Sequence, residues 1–405
     1  MGKLVILGTG WSSFSLARKL KRPATIISPR NHFVFTPLLA STTVGTLEFR
    51  TITEPIRSLR HVDYYEGNCT NIDLSKNELT YTDWLNKKHI LDYEQIIIGV
   101  GCISNTFSIP GVSEHALFLR EIHHARKIRK RIIECLEIAS HPDATESEIK
   151  SILHFCIVGA GATGVEFAGE LYDFILSDIL AAYPKVAAFV KITLFDVSNR
   201  ILGTFDKSLS TYAANKFSRD GIELRLQTPI LKVNKNELEL QSGELVSYGL
   251  LVWSTGLKEH PLITSLNVDK VKGRISVDDH CQVLNKSKPI PNVYAIGDCA
   301  TSSSLFPQTA QVASQEGIYL ASQLNNNNAT NQPFKYKHFF TTAYIGSWKS
   351  VIDKPGVGRL HGTIAWLIWR SAYFTQTVSW KNKIMIPVYW FTSWIFGREI
   401  SRIKE

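Results

Sequence analysis

Two strand-turn-helix units with glycines at fixed spacing restrict this chain to a small set of folds. Residues 153–173, LHFCIVGAGATGVEFAGELYD, read as a buried strand from Leu153 to Val158, a turn carrying Gly159, Gly161 and Gly164, and a helix opening at about Thr163. In a strand, G-x-G-x-x-G, helix arrangement the first glycine makes the tight turn. The second lets backbone approach a pyrophosphate, and the third lets helix and strand pack closely. The helix N-terminus then faces the phosphates. Such glycines can also serve a tight turn alone. The partner about thirty residues on argues for a nucleotide: the strand VKITLFD ends at Asp196, where a carboxylate can accept hydrogen bonds from both hydroxyls of an adenine ribose.

A first copy lies at the N-terminus. Residues 3–20, KLVILGTGWSSFSLARKL, repeat the pattern with Gly8 and Gly10 in place and Ser13 where the third glycine belongs. The next strand, ATIIS, ends at Ser28 instead of an acid, followed by Pro29 and Arg30. One chain seldom needs two dinucleotide units unless it passes electrons between two nucleotides.

At 405 residues, 44% hydrophobic and 20% charged, the chain can bury two sizeable cores and an appendix. Its net charge of +9 is concentrated at the end: residues 359–405 hold seven Lys or Arg against two Glu, with five of the nine Trp. Basic residues interleaved with Trp and apolar runs suit a membrane surface better than a nucleic acid. The runs are too short to span a bilayer, because Arg370, Lys381 and Lys383 interrupt them and IMIPVYWFTSWIF contains Pro387. Two amphipathic helices joined near Ser379 to Lys383 are expected, with Trp366, Trp369, Trp390 and Trp394 at the head-group level. The alternatives for that apolar face are a second copy of the chain or packing on the first domain. The six cysteines (69, 102, 135, 156, 281, 299) include no pair at redox-dithiol or zinc spacing, and a reduced compartment is the default.

Between the two units, HFVFTPLLASTTVGTLEFRTITEPIRSL reads as a loop and helix, and VDYYEG, CTNIDL and ELTYT as strands. The run QIIIGVG is a short buried strand ending in Gly99 and Gly101. Periodicity at Ala125, Ile128, Ile132 and Leu136 predicts a helix over 114–138, and SHPDATESE a polar connection. After the Asp196 strand come a helix, SLSTYAANKFSRDG, and strands at ELRL, ILKVN, ELEL and GLLVWSTG, the last ending at Gly256. Alternating strands and helices predict a parallel, doubly wound sheet. VYAIGDCA reads as a strand ending in Gly297 and Asp298 that returns to the first domain, and Asn325 to Asn331 as a solvated loop.

SPRNHFVFTPLL with VGTLEFR, GAGATGVEFAGEL, AIGDCA and TAQVASQEG together resemble type II, rotenone-insensitive NADH dehydrogenases, the single-subunit NADH:quinone oxidoreductases. The tail, AWLIWRSAYFTQTVSWKNKI and FGREISR, is most similar to fungal mitochondrial members. The resemblance implies an α/β fold of two doubly wound, Rossmann-like dinucleotide domains, the second inserted in the first, and a C-terminal amphipathic helical membrane-binding region. The boundaries expected are 1–120 with 257–334 for FAD, 121–256 for NADH, and 335–405 for the membrane.

It further implies that Gly8, Gly10 and Trp11 lie along the FAD pyrophosphate, Ser28 and Arg30 near its ribose, and Thr36, Pro37 and Leu38 against the flavin, which Gly101 helps cover. Gly297 and Asp298 would meet the ribityl chain, and Ala310 and Gln311 the isoalloxazine edge. Gly159, Gly161, Thr163, Gly164, Glu166 and Asp196 would hold NADH, and Gly256 is a further cofactor-binding position. Glu170, Gln311 and Gln315 match positions tied to nicotinamide and quinone approach, with Glu170 a proton relay and the two glutamines, four apart on one helix face, serving the quinone. FAD would be non-covalent, NADH the substrate and ubiquinone the acceptor, with no proton pumping. The expected place is the mitochondrial inner membrane, peripherally. Since no basic presequence precedes Lys3, the cytoplasmic face of a bacterial membrane is the alternative. A dithiol oxidoreductase lacks its cysteine pair here, and a sulfide:quinone enzyme would not need Asp196. A signalling flavoprotein would leave TAQVASQEG and the tail unexplained.

Overall fold

The computed structural model describes residues 3–326, 332–354, 358–377 and 379–401. They form two compact units: residues 1–34, 53–103 and 257–338 in one, and 35–52, 104–256 and 339–405 in the other.

The first unit is built on a six-stranded sheet. In spatial order its strands are Gln282–Asn285, Lys288–Ala295, Gln95–Ile98, Leu4–Leu7, Ala24–Ser28 and Val62–Glu66. The last five run parallel, with Ile6 opposite Ile26 on one side and Ile97 on the other. Leu4–Leu7 and Ala24–Ser28 are buried at every position, as expected of parallel strands covered on both faces. The return strand Lys288–Ala295 pairs beside Gln95–Ile98, which places Gly297 and Asp298 at the same sheet edge as Gly8. A helix from Trp11 to Lys19 packs against one from Ala310 to Asn325, and the crossing is close: a Cβ on Gly317 would lie 2.2 Å from the Ser12 carbonyl oxygen. Ser15 and Ser314 hydroxyls meet across it at 2.9 Å.

The second unit repeats the design with five parallel strands, in the order Leu117–Phe118, Leu250–Trp253, His154–Val158, Lys191–Phe195 and Glu223–Arg225. In both sheets the strand leading into the glycine turn is interior, with the following strand on one side and a strand from much further along the chain, Gln95–Ile98 or Leu250–Trp253, on the other. The turn therefore opens at a topological switch point, where ligands of such sheets bind.

Several elements differ from the sequence expectation. The helix expected from residue 114 starts at Ile122, because Leu117 and Phe118 are drawn out as an edge strand beside Val252 and Trp253. Its periodic residues Ala125, Ile128, Ile132 and Leu136 are all buried. The polar connection after it contains a helix, Glu146–Ile152, fixed by a reciprocal cap in which Thr145 accepts from the Glu148 amide and the Glu148 carboxylate accepts from Thr145. Asn325 ends a helix, and the expected loop at Asn327 to Asn331 lies outside the described residues.

The tail is more than two helices. An antiparallel sheet, Thr341–Tyr344, Ser350–Lys354 and Gly358–Gly362, precedes the helices Thr363–Gln376 and Trp380–Phe396. Trp366 and Trp369, expected at lipid level, are buried instead: Trp369 stacks on Tyr344 at 5.3 Å and Trp366 packs on Trp348 at 5.0 Å. The exposed apolar face is carried by Ile364, Leu367, Trp380, Ile384, Phe391, Trp394 and Phe396. Among the described residues no helix is long and apolar enough to cross a membrane.

Candidate functional site

In the first unit Gly8 adopts φ +95°, and a Cβ there would lie 2.4 Å from the Gly99 carbonyl oxygen, so only glycine makes this turn. Gly10 caps the helix Trp11–Lys19, and the space a Cβ would take there is open to 4 Å. A helix N-terminus with open space before it suits an anion. Trp11 opens that helix and rests edge-on against Phe33 at 4.9 Å. At the end of the second strand the hydroxyls of Ser28 and Thr9 meet at 3.1 Å, and the Arg30 guanidinium folds over the loop to donate to the Thr9 carbonyl at 3.2 Å. A cation thus stands where the second unit has an acid.

Ser13 is accommodated by its neighbour. Its buried hydroxyl donates to the Leu7 carbonyl at 3.2 Å and fills the volume left by Gly99, where a Cβ would lie 2.2 Å from that oxygen. The second unit uses the reverse pairing: Gly164 faces Ser254, whose hydroxyl would lie 2.7 Å from a Cβ on the glycine.

Asp298 lies on a turn, Gly297–Cys299, with Gly297 at φ +78°. Its carboxylate accepts from the Cys102 thiol at 3.1 Å, while Gln308 holds its carbonyl at 2.9 Å. Gly101, at φ +71°, faces open space. Ala310 and Gln311 form the first turn of a helix capped by Thr309, which accepts from the Val312 amide. Gln315 does not present a free amide. Its Nε2 donates to the Lys337 carbonyl at 2.9 Å and its Oε1 accepts from the Lys337 amide at 3.0 Å, because the chain after residue 331 runs back beside the helix. Glu316 was not singled out from sequence. It is buried, accepts from the Gly297 amide at 2.6 Å, and burial pushes its carboxyl up to about 7. An acid at helical spacing from Val312, Ala313, Leu320 and Leu324, on the helix's buried face, was the available signal.

In the second unit Gly159 adopts φ +108° and Gly161 caps the helix Ala162–Phe174, again with open space. Thr163 is exposed on the first turn. A Cβ on Gly164 would lie 1.9 Å from the Gly159 carbonyl oxygen. Asp196 is held by backbone: Oδ2 accepts from Ala160 at 2.6 Å and Oδ1 from Ser198 at 2.7 Å, which aims its remaining lone pairs outward. Arg200 is tied to the Gly203 carbonyl at 2.6 Å. Gly256, at φ +74°, would bring a Cβ within 2.6 Å of the Phe107 ring.

The same helix carries a ladder of buried acids. Glu166 accepts from the Tyr344 amide at 3.3 Å, and burial pushes its carboxyl up to about 8. Glu170, one turn on, accepts from the Ser41 hydroxyl at 2.5 Å and from Thr46 at 2.9 Å. Burial raises it also, opposed chiefly by Arg398. Asp173 accepts from the Tyr344 hydroxyl and the Ser347 amide and is likewise raised by burial. Gly169 lets this helix pass the Ile345–Gly346 turn, since a Cβ would lie 2.6 Å from the Gly346 nitrogen. Thr36, Pro37 and Leu38 form a short turn of this unit, leading into the helix Leu39–Thr43 that supplies Ser41.

A chain with two nucleotide cradles, one ending in a cation and one in a fixed carboxylate, is a two-nucleotide oxidoreductase. Residues 2–317 match the pyridine nucleotide-disulphide oxidoreductase family, and residues 340–399 match the NDH2 C-terminal domain. A probable NADH dehydrogenase of Dictyostelium discoideum is 45% identical, covering 98% of this chain and 91% of that protein. An internal alternative NAD(P)H-ubiquinone oxidoreductase of Solanum tuberosum, described as mitochondrial, is 40% identical over 99% of this chain and 88% of its own. The solved structure of NDH2 from Plasmodium falciparum in complex with NADH superposes with a TM-score of 0.94 at 28% identity, covering all of both chains. The chain belongs to the type II NADH dehydrogenase (NDH2) family, and its fold is that of the family.

Proposed function

We propose that this chain oxidises NADH through a non-covalently bound FAD and reduces ubiquinone, as a peripheral enzyme of the mitochondrial inner membrane that moves no charge across it. FAD, once bound, supplies the two-electron carrier between NADH and quinone. The observation that carries the assignment is the contrast between the cradles: Ser28 and Arg30 end one, and the backbone-fixed Asp196 ends the other.

The chain's own groups divide the work as follows. Gly10 and Trp11 present backbone N–H groups to the FAD pyrophosphate, Gly8, whose own N–H is held by the Ile27 carbonyl at 2.9 Å, makes the turn along it, and Ser28 and Arg30 stand at its ribose. Asp298 holds the ribityl chain beside Gly297, and Thr36, Pro37, Leu38 and Gly101 serve the flavin. Ala310 and Gln311 stand at its edge, at the positive end of their helix, which favours developing negative charge. Gly159, Gly161, Thr163 and Gly164 cradle the NADH pyrophosphate, Asp196 takes the ribose hydroxyls, and Glu166 and Gly256 complete that site. Quinone reduction consumes two protons. Glu170, whose carboxyl burial raises above its ordinary range, is the proton station for it. Gln311 serves the quinone, and Gln315 acts on it indirectly by holding the Lys337 backbone.

The exposed apolar residues of the last two helices, flanked by Lys381 and Lys383, lie at the lipid interface, where a long-tailed quinone dissolves. Truncation after residue 358 is a poor test, because it removes the buried Ala365, Trp366 and Trp369 from the second unit's core. Trp394→Glu with Phe396→Glu leaves that core in place. This variant is expected to keep FAD and reduce a water-soluble quinone, yet to lose liposome binding and long-chain quinone turnover. Undiminished sedimentation with liposomes would move the membrane surface elsewhere; a monomer appearing where the parent is dimeric would give the face to a second copy of the chain.

A further inference from the structure

The last helix stops at Gly397, whose φ of +78° turns the chain, and a Cβ there would lie 2.7 Å from Asp178 Oδ1. The turn brings Arg398 back against the body of its unit. Its amide donates to Asp178 Oδ1 at 2.6 Å and one guanidinium nitrogen to Asp178 Oδ2 at 2.7 Å and to Ser177 at 2.6 Å. Its Nε donates to the Thr46 hydroxyl at 2.9 Å. That hydroxyl in turn donates to Glu170 Oε2 at 2.9 Å, and Ser393 ties the Thr46 carbonyl to the last helix at 3.1 Å. The Arg398 side chain is 12% exposed and that of Asp178 6%, so solvent does not compete freely for either.

The direction of the bond from Arg398 is fixed by chemistry. A guanidinium N–H can only donate, so it occupies a lone pair of the Thr46 oxygen and leaves that hydroxyl's single hydrogen for Glu170. With that hydrogen on Glu170, Oε2 is the acceptor, and the proton of a neutral Glu170 is favoured on Oε1, toward Ser41. The serine hydroxyl can exchange donor for acceptor there; the threonine can accept from Oε2 only with the one lone pair that Arg398 leaves, so the grip biases it toward donating.

We infer that Arg398 is a positioning residue for quinone reduction: through Thr46 it biases the proton of Glu170 toward one carboxyl oxygen, and with its charge it limits how firmly that proton is held. The inference rests on the proposed role of Glu170 as proton station. The other charged or titratable groups facing this carboxyl are Glu166 and Asp173 on its own helix, Tyr344 from the tail sheet and Arg370 from the first tail helix, with Asp178 facing Arg398. Arg370 is engaged over the Trp390 ring at 3.7 Å and the Trp366 ring at 4.8 Å. Among the charged groups of the described residues, Arg398 is the one linked to Glu170 through a hydroxyl both share.

The experiment is the pH profile of quinone turnover in the full-length, FAD-loaded protein, with thermal melting run alongside. An alkaline limb set by loss of the Glu170 proton is expected, absent in Glu170→Gln. Arg398→Gln should lower kcat about tenfold at neutral pH and move the limb up by about 1 pH unit, the scale of one lost neighbouring charge. Arg398→Lys, which keeps the charge without the planar grip, should hold the limb near its original place with an intermediate kcat. Thr46→Val preserves the Arg398–Asp178 ion pair and should still lower kcat and raise the limb. A uniform fall in rate with an unmoved limb in both Arg398→Gln and Thr46→Val would reduce Arg398 to a structural clasp and overturn the inference. A limb that persists in Glu170→Gln would instead refute Glu170 as the proton station.

Discussion

Gly99→Ala tests how the first cradle tolerates Ser13. The new Cβ would lie 2.2 Å from Ser13 Oγ, 3.2 Å from the Leu7 carbonyl oxygen and 3.3 Å from Ser12 Oγ. Relieving the shortest contact needs more than about 1 Å of movement to reach ordinary van der Waals separation. The Ser13 hydroxyl can leave only by giving up its bond to Leu7 inside a fully buried helix-strand contact. Overpacking of this kind costs about 1–3 kcal/mol, and an orphaned buried hydroxyl about 1–3 more. Ser13→Gly in the same chain removes the clashing atom at about 0.5 kcal/mol of helix propensity. A coupling of about 1–3 kcal/mol in a double-mutant cycle is therefore expected. The assay is denaturant unfolding of the four proteins with FAD retention measured alongside, since the cradle and the strand it rests on move together. The reasoning fails if Gly99→Ala stays within about 0.5 kcal/mol of the parent, or if the double variant is no more stable than Gly99→Ala.

Asp196→Ser should narrow the preference for NADH over NADPH by about tenfold in kcat/KM, the scale of one hydrogen bond to a charged group, with Arg200 still tied to Gly203. Glu166, raised to about 8 from an unfolded value of 4.5, contributes stability that is full below about 4.5 and lost as pH climbs through 8. Glu166→Gln should therefore flatten the decline in unfolding midpoint between these limits, and an equally steep decline in the variant would contradict its neutral burial. Gln315→Ala should release the Lys337 backbone, costing about 1–2 kcal/mol for two hydrogen bonds, with faster amide exchange at Lys337 as the readout. Unchanged exchange there would mean that the pair contributes nothing.

Both cradles were legible because glycine spacing and the terminal residue of the next strand are local signals that act through backbone geometry. The central strands were legible for a similar reason, since β-branched runs buried on both faces leave little ambiguity. What escaped depended on pairing with distant residues. Leu117 and Phe118 lie where the periodicity of the following helix extends, and only Val252 and Trp253 beside them make a strand of them. The amide of Gln315 looked available because nothing local shows that Lys337 returns to it. Trp366 and Trp369 read as interfacial for the same reason: the tail sheet that buries them is made of Gly-interrupted segments with weak alternation. The helix at Glu146–Ile152 is a different case, because its Thr145 and Glu148 cap is a sequence signature that the polar composition around it obscured. Arg398 could not have been found locally at all, since its meaning comes from Thr46 and Asp178, both far away in sequence.

The central claim is that electrons pass from NADH to quinone through one bound flavin, and anaerobic stopped flow measures this directly. Purified FAD-loaded protein mixed with NADH should bleach its visible flavin absorbance with one NADH consumed per flavin. A second mixing with a ubiquinone analogue should restore the absorbance at a rate no slower than steady-state turnover. Bleaching that quinone fails to reverse, while a soluble disulfide or oxygen reverses it at the turnover rate, would contradict the account.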